Sequence, residues 1–107
     1  MMPKVSQQAI AEYDAVAAGL EAAGVVRGSM FGMPCLKAGK KVVAGMFGDA
    51  MTFKLPPADR ERALALTGVE PFDPGMGRPM KEWVVIPLAQ SDAWPEYAAA
   101  ALEYVGR

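Results

Sequence analysis

Histidine is absent from the 107 residues, and cysteine occurs once, as Cys35. The first absence removes the commonest general base and metal ligand. The second excludes an internal disulfide and any zinc site of the Cys/His type. Serine is scarce as well: Ser6, Ser29 and Ser91 complete the set, and no base stands near Ser29 in RGSMFG to activate it as a nucleophile. No stretch approaches the ~20 apolar residues of a membrane span, and Glu12 and Asp14 arrive before any signal-peptide core develops. Internal repeats and linkers are missing too. These absences lead to the expectation of one cytoplasmic domain over residues 1–107, not an enzyme and not membrane-bound, with no catalytic residue, no metal and no cofactor.

What is present suits a globular core, since 52% of the residues are hydrophobic and 21% charged. The net charge of −1 is unevenly spread: residues 1–24 sum to −2, residues 25–55 to +4 and residues 56–107 to −3. Arg27, Lys37, Lys40, Lys41 and Lys54 make the middle basic. Such a cluster attracts phosphate, whereas lysines on an edge strand discourage sheet-to-sheet aggregation. The sequence pI of about 5.4 favours the second reading over nucleic-acid binding.

Hydrophobic spacing divides the chain into elements. Ser6 is a candidate N-cap, followed by Ile10, Tyr13, Val16, Ala17 and Leu20 at helical intervals, which predicts a helix over residues 7–23 stopped by Gly24. From residue 25 to 55 the period becomes alternating, broken at Gly28, Gly32, Gly39 and Gly48-Asp49, so three or four antiparallel strands joined by hairpins are expected. In KVVAGMF, strict alternation puts Val42, Ala44 and Met46 on one face and Val43, Gly45 and Phe47 on the other. In AMTFKL it sets Met51, Phe53 and Leu55 against Thr52 and Lys54.

Pro56-Pro57 opens a second helix that runs towards Gly68, its Asp59-Arg60-Glu61-Arg62 run forming a solvated face with local ion pairs. EWVVIP alternates as a strand. Ser91 or Asp92 is expected to cap a last helix whose apolar stripe is Trp94, Ala98, Ala101, Leu102 and Val105. The order α-β-β-β(-β)-α-β-α gives a two-layer α+β domain, an antiparallel sheet with helices packed on it.

Between the second helix and the last strand lies the loop EPFDPGMGRPMK, where Phe72 is expected to be buried and Asp73-Pro74-Gly75 to turn the chain. Its cations are Arg78 and Lys81, candidate anion contacts. Met76 and Met80 are candidate partner contacts, because thioethers suit adaptable surfaces, while the strand methionines are expected to fill the core. Cys35 is read as a small buried hydrophobe, with Lys37 two residues on as the one feature favouring a thiolate.

The segments SMFGMPCLKAGKKVVAGMFGDAMTFKL (residues 29–55) and EPFDPGMGRPMKEWVVIP (residues 70–87) resemble the TfoX N-terminal domain family, related to the Sxy/TfoX regulators of natural competence. MFG, the GD hairpin, the PF pair and RPMKEW are the matching pieces, in the family's order. The resemblance implies a secretion-chaperone-like two-layer fold and no established catalytic residues. Regulators of that family join this domain to a helical C-terminal one. Residues here end at Arg107, and the form expected is the stand-alone domain.

The functional expectation is therefore a non-enzymatic module that binds a protein partner and is linked to transcriptional regulation. Two alternatives stand beside it: a small-ligand or anion-binding domain using Arg78 and Lys81, and weak DNA binding through the basic middle segment. Homodimerisation through an edge strand or the methionine-bearing face stays open.

Overall fold

A computed structural model of the chain describes residues 6–30, 33–72 and 82–106. The first helix, α1 (Gln7–Leu20), begins as the sequence requires: the Ser6 hydroxyl accepts a 3.1 Å hydrogen bond from the Ala9 N–H, satisfying one of the orphan donors of the first turn. Ala9, Tyr13, Val16 and Ala17 are its buried stripe. The predicted end at residue 23 is reached by a different geometry. Glu21–Ala23 form a 3₁₀ turn, a common way for a helix to finish where its side chains are exposed, and Gly24 closes it.

Four consecutive strands follow: β1 (Val25–Met30), β2 (Met33–Ala38), β3 (Lys41–Phe47) and β4 (Ala50–Lys54). Gly39 and Gly48 take φ of 63° and 61° in the turns either side of β3, left-handed geometry that a side chain would oppose. Helix α2 (Pro57–Leu64) starts on proline and stops four residues short of Gly68. The two-residue strand β5 (Glu70–Pro71) and β6 (Trp83–Pro87) then complete an antiparallel sheet in the order β1-β2-β3-β4-β6-β5. The chain is thus α+β, with the expected order of elements; β5 is an addition the sequence reading did not contain.

One face of the sheet carries the helices. Leu36, Ala44, Phe53 and Val84 form a row across four paired strands, next to the row Met46, Met51 and Ile86, and all seven are buried with residues of α1, α2 and α3 (Trp94–Val105). Trp94 is fully buried, and its indole N–H donates a 3.1 Å hydrogen bond to the Ile86 carbonyl, so the largest side chain in the core keeps its polar atom satisfied. The cap predicted at Ser91 or Asp92 is not made. Those residues lie in a 3₁₀ segment, Leu88–Ala93, and Ala93 is the N-cap of α3 with no side-chain bond. Tyr97 joins the buried stripe, while Leu102 is only half-buried.

Strict alternation fails in β3. Its pairing with β2 steps from Leu36↔Ala44 to Lys37↔Val42, so Val43 is an extra residue with no partner in the register. This is a β-bulge. It turns Val43 to the helix side together with Ala44 and Met46, and it leaves Val42 on the opposite face with Phe47. The facing expected for Val42 and Val43 is therefore reversed.

That opposite face has its own smaller cluster. Met33, Phe72 and Trp83 are buried there, with Val42, Phe47 and Val85 against them, and the Phe47 and Phe72 rings meet edge-on at 5.4 Å and 73°. Phe72 is buried as expected.

Candidate functional site

The side chains singled out in the loop, Met76, Arg78, Met80 and Lys81, lie outside the described residues, as does the turn at Asp73-Pro74-Gly75. Three other surfaces can be built from described residues.

The first is the outer edge of the sheet. Among the described residues β1 is paired on one side only, and residues 26–29 are exposed on both faces of the strand; Val26 is 57% exposed. By register Val26 and Gly28 belong to the face opposite the helices, and Arg27 and Ser29 to the helix side. Arg27 is held by Asp14 of α1 at 2.7 Å, an exposed ion pair. At the far end of the sheet β5 offers just two residues.

The second is a cleft at the end of the sheet where β3 begins, β4 ends and β6 begins. Lys41, Lys54, Glu82, Tyr104 and Val105 line a volume of ≈ 370 Å³. Glu82 and Tyr104 also wall an adjoining cleft of ≈ 310 Å³, completed by Pro57 and Arg60. Backbone geometry fixes this arrangement: Lys54 pairs with Trp83 in the ladder, and the Leu55 N–H donates to the Glu82 carbonyl at 2.9 Å. The Tyr104 hydroxyl donates to the Glu82 carboxylate, and the Lys54 ammonium stands 3.7 Å from it. The tyrosine hydrogen bond is the largest influence on the Glu82 carboxyl and, with the charges of Lys54 and Arg60, holds it below its ordinary pKa against the opposing effect of desolvation.

This sorting settles where the basic segment goes. Lys41 and Lys54 come together at the cleft, Arg27 is engaged with Asp14, and the Lys37 side chain lies over Gly28 on the opposite face. Lys37, Lys41 and Lys54 are on inner strands, Lys40 is in the turn between β2 and β3, and β1 carries no lysine, contrary to the edge-protection reading. Arg60, expected to be merely solvated, walls a cleft. Arg62 does form the local pairs expected of that helix face, with Asp59 at 2.5 Å and Glu96 at 3.2 Å, and its guanidinium lies over the Tyr97 ring. The cleft was missed in the sequence because its members are scattered from residue 41 to residue 105; the signal that existed was the excess of lysine around the hairpins.

The third is a shallow apolar groove of ≈ 200 Å³ between α1 and α3, floored by Val16, Gly19, Leu20, Pro95 and Ala98.

Cys35 is fully buried in β2, and burial pushes its thiol pKa up, outweighing the opposing pull of Lys37. Among the described residues no group of His, Cys, Asp and Glu could hold a metal ion, and no helix is long and apolar enough to cross a membrane. Met33, Met46 and Met51 are core residues, in line with the gap-filling role expected of strand methionines. No family model, no curated protein and no solved structure matches the chain.

Proposed function

We propose that the domain is a non-enzymatic interaction module that recruits an extended segment of a protein partner onto the outer edge of β1. The observation that carries this reading is the strand itself: six residues at the end of a six-stranded sheet, exposed over residues 26–29, without proline or lysine. Natural edges of this length are normally blunted by such residues, and an open one is a template for strand addition. The TfoX-like resemblance supports the same class, since it implies no established catalytic residues, and the buried thiol suits a protein kept in a reducing compartment.

Strand addition gives affinity through main-chain hydrogen bonds and specificity through alternate side chains. The partner's residues would alternate between the Val26-Gly28 face and the Arg27-Ser29 face. Selection of a random-sequence peptide display library on the folded domain tests the idea. Expected are peptides that protect the amides of residues 25–30 from hydrogen exchange and lose affinity to Val26→Lys. Binders that leave those amides unprotected, or a selection that enriches nothing, would remove the reading. Self-association that Val26→Lys abolishes would replace the partner by a second copy of the chain.

A further inference from the structure

We propose that the cleft between β3, β4, β6 and α3 is a binding site for a small hydroxylated phosphomonoester, with Lys41 and Lys54 holding the phosphoryl group and Glu82 accepting from a ligand hydroxyl. The site is separate from the β1 edge and does not depend on its being a docking strand.

Four observations converge. The volume of ≈ 370 Å³ falls in the range of small-molecule pockets. Two lysines from neighbouring strands line it, while Glu82 is the sole acidic group among its described lining residues, so those residues carry a net positive charge. Lys54 stands 3.7 Å from Glu82, too far for a tight hydrogen-bonded pair, and its ammonium keeps donors for another acceptor. Finally, the Glu82 carboxylate accepts from the Tyr104 hydroxyl, and its carboxyl is held below its ordinary pKa.

The last point narrows the ligand. A bare phosphate placed between the lysines would compete with Glu82 for Lys54 and meet the carboxylate's charge with no donor to offer it. A ligand that also carries a hydroxyl turns that carboxylate into a partner, because an ionised carboxylate accepts hydrogen bonds and donates none. Glu82 thereby selects a phosphorylated polyol or sugar over inorganic phosphate. Arg60, on the far side of the Glu82–Tyr104 wall, adds positive potential.

The test is calorimetric titration of the full chain with ribose 5-phosphate, inorganic phosphate and ribose, alongside amide NMR shifts. Ribose 5-phosphate is expected to bind with a Kd of about 1 mM or tighter, to shift residues 41, 54, 82 and 104, and to weaken as salt rises. Lys41→Gln combined with Lys54→Gln should cost at least about tenfold in affinity, or ~1.4 kcal/mol. Lys41 is exposed and Lys54 half-buried with its ammonium at the cleft, so the fold is expected to survive, with NMR dispersion as the check. Glu82→Gln should bring ribose 5-phosphate and inorganic phosphate closer in affinity. Equal binding of the two by the unaltered protein, binding that persists in the double lysine variant, shifts confined to other residues, or no binding at all would each overturn the proposal.

Discussion

At the scale of single residues, Tyr13 carries the least comfortable atom in the core. Its side chain is buried in α1, and its hydroxyl has no hydrogen-bond partner among the described residues. Leaving such a group unpaired costs roughly 1–3 kcal/mol, so Tyr13→Phe is expected to raise stability by about 1 kcal/mol in urea denaturation at neutral pH. Burial, with a smaller contribution from Cys35, pushes the phenol up to about 12. The folded state then holds the proton more tightly than the unfolded chain, whose tyrosine titrates near 10. Stability from this source is complete below pH 10 and lost as pH rises through 12, by about 3 kcal/mol. The advantage of Tyr13→Phe should widen across that window, and a constant difference between the two proteins from pH 9 to 12 would refute it. Cys35 yields a simpler expectation: being buried, with its thiol pKa raised, it should react with iodoacetamide at neutral pH only as fast as the domain opens.

At the scale of elements, the bulge in β3 shows what sequence periodicity conveys and where it stops. The strand at residues 41–47 was legible from β-branched and apolar residues between glycine turns, and so were α1, β4 and β6, because each follows its period without interruption. The bulge was not, since an extra residue in a strand leaves the composition unchanged and alters only the register with a neighbour. The cap of α3 was missed for a related reason: Leu88–Ala93 form a 3₁₀ segment, which places Ser91 and Asp92 before the helix start. Facing is therefore the sharper test of the structure. Val43→Ala removes two methylene equivalents from the helix-side core and should cost about 2 kcal/mol. The half-buried Val42 should cost less than about 1 kcal/mol when cut to alanine. Strict alternation, with both residues in β3 unbulged, would put Val42 and not Val43 beside Ala44 and Met46, and so would reverse the order of the two losses.

At the scale of the whole molecule, the sheet and the last helix meet at Glu82 and Tyr104, which join residues 22 positions apart along the chain. Candidate sites of this kind are the least legible in sequence, because Lys41, Lys54, Glu82 and Tyr104 become neighbours only after four elements have assembled. The β1 edge was legible as a strand, but not as an edge, since strand order is a property of the assembled sheet. The same pair links folding to acid. The Tyr104 hydrogen bond keeps the Glu82 carboxyl below its ordinary pKa, so the folded state favours the ionised form more than the unfolded chain does. The contribution is present above the unfolded value near 4.3 and is lost as pH falls through the lower, folded value. Because both partners reach solvent, its size is modest. Tyr104→Phe removes the donor while keeping the ring. The Glu82 carboxyl, followed by NMR titration, should then move back towards its ordinary pKa, and acid unfolding below pH ~4 should become less steep than in the unaltered protein. An unchanged Glu82 titration in Tyr104→Phe would mean that Lys54 and Arg60, and not the hydroxyl, hold the carboxylate in its charged form.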